Sequence, residues 1–428
     1  MQNTPPDWFD SGWPHIWLPY AQMQTSPKPL PVIGASGCEI HLADGSRLLD
    51  GTASWWSMCH GYQHPDIIKA IQDQAAQLSH IMFAGLAHQP AYDLATRLCA
   101  MAPKGITRAF FSDSGSTAVE VALKMALQYW RNKGKPRKGK FICFNHAYHG
   151  DTFGAMSVST RNGMHSAFDS LTSKQFQLDI PSDEYSFAEF EETIASISGN
   201  VAGLIIEPLV QGAGGMRFHS ADVLAEIRRV CREHDILFIA DEIMTGFYRT
   251  GNVFACNEAA ITPDIMCVGK ALTGGHIGLA ATLATESVFE SFLSDELGHA
   301  LMHGPTFMAN PIACAAANAA LNLCTGFDYL ARVEAIESQL LSALKPCEQM
   351  CGVADVRVKG AIGVVQLNAT QADMFNMREA CIKEGVWLRP YNDIIYIMPP
   401  LVITDEELTK LTNATCKIVA NWSAAQGE

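Results

Sequence analysis

Ile236-Leu237-Phe238-Ile239-Ala240-Asp241-Glu242 and, further on, Pro263-Asp264-Ile265-Met266-Cys267-Val268-Gly269-Lys270 decide how this chain is read. Each contains a short apolar run followed by a charged residue. Such runs suit strands buried on both faces of a sheet. Val201 to Ile206 is a third run, and Phe141 to Phe144 and Leu279 to Ala284 continue the pattern. A helix is expected between two of them, over Ala221 to His234. Strands alternating with helices predict an α/β fold, a mainly parallel sheet with helices on its faces. In open parallel sheets, ligands sit beyond the carboxyl ends of the strands. Asp241 and Lys270 both fall there.

Outward toward the N-terminus, the strand Arg108 to Phe111 runs into Ser112-Asp113-Ser114-Gly115-Ser116, and an amphipathic helix leaves that turn for about Lys133. Two helices precede it, Asp66 to Ser79 and Pro90 to Met101. Before them stands a hairpin, Cys38 to Leu42 and Arg47 to Leu49, turning at Asp44-Gly45. Toward the C-terminus the chain is helical from Asn310 to Leu344. It then shifts to a smaller α/β pattern: Val353 to Val358, Ile362 to Leu367, a helix Ala372 to Glu384, strands near Val386 and Ile394, and a helix from Thr404. The expected organisation is a large domain over 61–328 and a small domain built from both ends, 1–60 and 329–428.

The 428 residues are 48% apolar and 17% charged, which excludes a disordered chain. A net charge of −14 gives no broad footprint for nucleic acid or for an anionic membrane, so neither is expected as a partner. No stretch approaches the ~20 apolar residues of a membrane span. The densest basic run, Arg131 to Lys140, reads as a solvated helix end and loop. Met1 to Pro6 lack the basic-then-apolar pattern of a signal peptide. The 13 cysteines are scattered and form no CxxC, so reduced thiols and a cytoplasmic location are expected. No metal is expected, because His146 and His149 have no third ligand at a recognisable spacing.

Several residues carry possible chemistry. Lys270 is the sole lysine between Lys174 and Lys345, set among Gly269, Ala271, Gly274 and Gly275. A lone lysine at a strand end, in tight backbone, suits a nucleophile that forms a Schiff base. By itself, without Asp241, it suits a surface lysine after a buried strand somewhat better. Asp241 is placed to meet a buried cation, though Asp241-Glu242 alone also fits a helix cap. Ser114-Gly115-Ser116-Thr117 offers free amides and hydroxyls to a phosphate, or is an ordinary N-cap. Tyr148, after Phe141 to Phe144, is an aromatic placed to stack on a planar ring. In this order the four features match one cofactor, pyridoxal 5'-phosphate: a phosphate, a flat pyridine ring whose nitrogen wants an anion, and an aldehyde for lysine.

The same residues carry a resemblance. Asp241-Glu242-Ile243-x-Thr245-Gly246-Phe247-x-Arg249-Thr250-Gly251, Pro263-Asp264-Ile265 and Gly269-Lys270-Ala271-Leu272 resemble the central signature of the class III, fold-type I pyridoxal-phosphate aminotransferases. Within that class, His15-Ile16-Trp17-Leu18-Pro19-Tyr20, Trp55-Trp56, His60-Gly61-Tyr62, Tyr148-His149-Gly150-Asp151-Thr152, Met302 to Met308 and Val386 to Pro390 resemble the biotin-synthesis branch. The resemblance implies a large domain with a seven-stranded sheet plus a small α/β domain. It implies a homodimer with shared sites. The implied reaction passes the amino group of S-adenosylmethionine to 8-amino-7-oxononanoate. The rival within the class is an ω-aminotransferase taking lysine, ornithine or another diamine donor. The implied catalytic residues are Lys270, Asp241 and Tyr20. Lys270 would carry the cofactor and move the proton, and Asp241 would keep the ring nitrogen protonated. Tyr148 and Ile243 would sandwich the ring, and Gly115 and Ser116 would hold the phosphate, joined by Pro305 and Thr306, the latter from the second subunit. Tyr20, Trp55, Trp56, Tyr148, Gly304, Arg389 and Tyr396 would bind substrate, with Arg389 on a carboxylate. Trp56 equally suits core packing. Many class members carry Gln where this chain has Met244, and the biotin branch carries a small or apolar residue there.

Overall fold

The computed structural model describes residues 6–161 and 163–426. Met1 to Pro5, most of the polar start of the chain, lie outside the described residues. Three strands open the chain: β1 (Val32–Ser36), β2 (Glu39–Leu42) and β3 (Arg47–Asp50). The central ones follow: β4 (Ile106–Ser112), β5 (Lys140–Phe144), β6 (Phe176–Leu178), β7 (Val201–Ile206), the short pair β8 (Val210–Gln211) and β9 (Arg217–Phe218), β10 (Leu237–Asp241), β11 (Ile265–Val268) and β12 (Ala280–Thr285). The last four are β13 (Val353–Lys359), β14 (Ile362–Leu367), β15 (Val386–Trp387) and β16 (Ile394–Ile397).

The large sheet is seven-stranded, in the order β4-β12-β11-β10-β7-β5-β6. Only β12 runs against its neighbours; the pairs from β11 to β6 are parallel. The fully apolar runs are its centre: β7, β10 and β11 are buried along their whole length. Helices cover both faces, as expected. The helix Ala221–Glu233 buries Leu224, Ile227, Val230 and Cys231, a stripe at helical spacing. Its Arg228 holds Asp264 through two bonds of 2.7 and 2.9 Å, and Asp264 also accepts the amide of Phe238 at 2.7 Å. The start of β11 is thus clamped to β10 and to the helix beneath, which fixes the strand that delivers Lys270.

The two chain ends meet. β15 pairs in parallel with β3, giving a four-stranded sheet β1-β2-β3-β15, while β13, β14 and β16 form a separate three-stranded sheet. Buried Arg249 donates to the carbonyls of Ala361 (3.2 Å) and Pro399 (2.7 Å), tying the loop after β10 to the C-terminal sheets. Among the described residues no helix is long and apolar enough to cross a membrane, and all 13 cysteines are free thiols.

Two expectations need correction. The basic run Arg131 to Lys140 is not wholly solvated. Lys138 is buried and donates to the carbonyls of Ser198 (2.9 Å), Val201 (3.2 Å) and Asp235 (2.7 Å). It caps strand and helix ends with an ammonium that burial pushes down in pKa. The hairpin strand also runs one residue past Leu49, to Asp50, and that residue proves structural. The helix Glu184–Ile197 and strands β1 and β6 were not anticipated.

Candidate active site

The acidic pair that ends β10 divides its work. Glu242 turns away from the cleft and accepts from Thr245 Oγ1 (2.6 Å) and the amides of Ala255 (3.1 Å) and Cys256 (2.8 Å), so it builds the loop. Asp241 faces the other way. Its Oδ1 accepts the amide of Ile243 at 3.1 Å, and its Oδ2 lies 2.7 Å from Nδ1 of His149. Both side chains of this pair are buried. This short contact, with the amide of Ile243 on the other oxygen, fixes the orientation of the carboxylate. The Nε2 of His149 is buried and has no partner among the described residues.

Lys270 follows β11 with φ +45°, a left-handed conformation that a non-glycine residue adopts at a cost. Its Nζ stands 4.3 Å from the centre of the Trp56 ring. Burial pushes the ammonium down to about 8, against the pull of Asp241 and Glu207. Glu207 directly follows β7. It accepts the amides of Tyr148 (3.0 Å) and Gly212 (2.9 Å), and burial pushes its carboxyl up to about 7.

The candidate phosphate cup lies where β4 enters the helix Gly115–Asn132. Ser114 caps that helix, accepting from the amide of Thr117 at 3.3 Å. The amides of Gly115 and Ser116, in the first turn, have no acceptor inside the helix. Ser116 Oγ accepts the amide of Asp151 at 3.2 Å. A Cβ on Gly150, whose φ is +124°, would fall 2.1 Å from that same Oγ, so this approach requires glycine. A Cβ on Gly115 would stand 3.0 Å from Ile243 Cγ2, which places Ile243 directly beside the cup.

The remaining wall is aromatic. Tyr148 and Tyr20 approach at 3.2 Å between hydroxyls, and Tyr20 also donates to Asp151. His165 holds the other oxygen of Asp151 at 3.0 Å. Tyr20 packs edge-on to Trp55 at 6.0 Å, and the Arg389 guanidinium lies 4.5 Å from the centre of the Trp55 ring. Trp56 Nε1 donates to the buried Tyr396 hydroxyl at 3.3 Å. Burial, and then Arg378, hold the Arg389 pKa below its ordinary value. The tryptophans sit in an unusual turn. Ala53, Ser54, Trp55 and Trp56 have φ of 46, 48, 62 and 72°, and a left-handed residue costs about 1–2 kcal/mol.

Lys270, Asp241, Ile243, Gly115, Ser116, Tyr148, Tyr20, Trp55, Trp56, Arg389 and Tyr396 are thus brought into one neighbourhood by these contacts. Gly304, Pro305 and Thr306 are not bonded to it. They belong to the loop before the helix Pro311–Gly326, where Met302 and Phe307 are 72% and 55% exposed. Sequence reasoning missed His149 as the partner of Asp241, Glu207, and the structural Asp50. Glu207 carries the same signal as Asp241, an acid directly after an apolar strand.

The donor set fits pyridoxal 5'-phosphate. An amine of lowered pKa, a carboxylate braced by a histidine, and a helix start with free amides meet the aldehyde, ring nitrogen and phosphate respectively. Residues 20–419 match the family model for class-III aminotransferases, and the chain belongs to that family, whose members are pyridoxal-phosphate enzymes. It is 42% identical over 415 residues to the adenosylmethionine-8-amino-7-oxononanoate aminotransferase of Mycobacterium leprae, covering 94% of each chain. The solved enzyme of the same name from Methanocaldococcus jannaschii superposes with a TM-score of 0.91 at 31% identity, covering 96% of this chain and 98% of that one. An omega transaminase from Pseudomonas jessenii, solved in complex with PMP, gives 0.92 at 27% identity, covering 98% and 99%.

Proposed function

We propose that this chain transfers the amino group of S-adenosylmethionine to 8-amino-7-oxononanoate, giving 7,8-diaminononanoate for biotin synthesis. The observation that carries this reading is the placement of two adjacent indoles. Trp55 lies against Arg389 and Trp56 against Lys270. An aromatic wall thereby joins a carboxylate-binding cation to the reacting amine. A long-chain keto acid matches that wall, since burying each methylene is worth ~0.8 kcal/mol. The chain's full-length similarity to enzymes of this name supports the same conclusion.

Pyridoxal phosphate, when bound, supplies an aldehyde that exchanges amino groups and a ring that absorbs carbanion charge. The protein's residues do the rest. Lys270 Nζ would take the proton from the donor's α-carbon and later return one to the acceptor's carbon. Asp241, oriented by His149, keeps a proton on the ring nitrogen. Tyr148 and Ile243 would hold the ring between them, and the amides of Gly115 and Ser116 would hold the phosphate. Tyr20, held by Asp151, closes the cleft over the reacting carbon. Arg389 orients a substrate carboxylate.

The functional unit in this reading is a homodimer, with Gly304, Pro305 and Thr306 of one subunit completing the other's site. The exposed Met302 and Phe307 support it. We place the domain division near residues 60 and 328, supported by the pairing of β15 with β3, and the enzyme in the cytoplasm, in keeping with its free thiols. Two half-reactions at one site require parallel double-reciprocal plots when both substrates are varied. Intersecting lines would contradict the scheme.

A further inference from the structure

We infer that Asp50 is a positioning residue for substrate, acting through the left-handed turn that presents Trp55 and Trp56. The inference rests on the substrate reading above and deepens it. Asp50 ends β3 and is fully buried. Its carboxylate gathers four donors: Thr52 amide (2.7 Å) and Thr52 Oγ1 (2.8 Å) on Oδ1, and Ser54 amide (2.8 Å) and Tyr62 hydroxyl (2.7 Å) on Oδ2. Three of the four come from the residues that lead into and form the turn. Hydrogen bonding of that kind offers the backbone an alternative to ordinary structure.

Four successive residues with positive φ, none of them glycine, do not persist unless their surroundings dictate them. The carboxylate is what dictates them at the entry to the turn. Beyond it the backbone closes on itself, with Trp56 donating to Thr52 (2.9 Å) and Ser57 to Ala53 (2.8 Å). The turn is also locked to the strands that carry the rest of the pocket. The amide of Gly51 donates to Trp387 (3.0 Å), two residues before Arg389, and its carbonyl accepts from Met398 (2.7 Å), two residues after Tyr396. A Cβ on Gly51 would stand 2.4 Å from Leu388, so the contact is tight. Asp50 therefore sets where the Trp55 ring meets Arg389 and Tyr20, and where Trp56 meets Lys270 and Tyr396, without itself touching the substrate.

The test is Asp50→Asn in the cofactor-loaded enzyme. The amide keeps the shape, but its NH₂ cannot accept a hydrogen bond, so part of the donor set loses its acceptor. We expect the KM for 8-amino-7-oxononanoate, and its Kd from quenching of tryptophan fluorescence, to rise roughly tenfold. The absorbance of the Lys270-bound cofactor should stay in place. Adding Ser54→Gly, which lets that residue take its positive φ freely, should recover part of the loss. A variant with a lower thermal midpoint but unchanged KM and Kd would overturn the proposal, since Asp50 would then serve only the fold. If Asp50→Asn does not fold, Tyr62→Phe decides. It removes one donor, and should raise KM and Kd in the same direction by a smaller factor; unchanged values overturn the proposal. Wild-type enzyme that fails to convert the keto acid at all would instead refute the substrate reading.

Discussion

Lys270 is an amine kept reactive by its surroundings. Burial lowers its pKa to about 8, while Asp241 and Glu207 oppose the fall and keep it from dropping further. Only the neutral amine attacks an aldehyde. Below pH 8 the folded apoprotein holds Lys270 as ammonium, and above it as free amine. Reconstitution of apoprotein with pyridoxal phosphate, followed by absorbance, should therefore accelerate with rising pH and reach half its maximal rate near pH 8. A midpoint close to that of an ordinary lysine, above 10, would show that the site does not tune this amine. Lys270 and Asp241 were legible in the sequence because each is a charge directly after a buried strand. His149 was not, because its partnership with Asp241 joins residues far apart in the chain, and the sequence near it offered only a weak metal reading. Glu207 and Asp50 carried the legible signal of an acid at a strand end, but neither stands beside a motif that would single it out.

At the scale of elements, legibility followed burial. The strands β7, β10 and β11 are buried throughout and read as unbroken apolar runs. β1 is exposed or half-buried along its length and β6 has three residues, so neither leaves a periodic trace. The helix Glu184–Ile197 does carry a start signal, the reciprocal capping of Asp183 and Ser186, but in that box serine replaces the more familiar glutamate or glutamine. The turn over Ala53 to Trp56 was illegible for a different reason. None of its residues is glycine, so nothing in the composition marks a left-handed backbone. It exists because a carboxylate before it and a tyrosine after it fold around the same point. The aromatic pair was visible in the sequence; the device that aims it was not.

At the scale of the molecule, the two chain ends build one side of the cleft and the seven-stranded sheet builds the other. Arg389 and Tyr396 come from the C-terminal region and Tyr20, Trp55 and Trp56 from the N-terminal region, while Asp241 ends a strand of the sheet and Lys270 and Gly115 stand just after β11 and β4. The loop holding Gly304, Pro305 and Thr306 serves a neighbouring subunit in the proposed dimer. Mixing a Lys270→Ala variant with a Thr306→Ala variant, after dissociation and reassembly, should then yield activity that neither parent has. In the hybrid one site keeps both residues. No recovery, with hybrid formation verified by mass, would place Thr306 outside the shared site. The central claim, amino transfer from S-adenosylmethionine to the keto acid, is tested most directly by mass spectrometry of the products formed by purified, cofactor-loaded enzyme from 8-amino-7-oxononanoate with each of several donors. 7,8-Diaminononanoate is expected with S-adenosylmethionine as donor; product with lysine or ornithine but none with S-adenosylmethionine would contradict the proposed reaction.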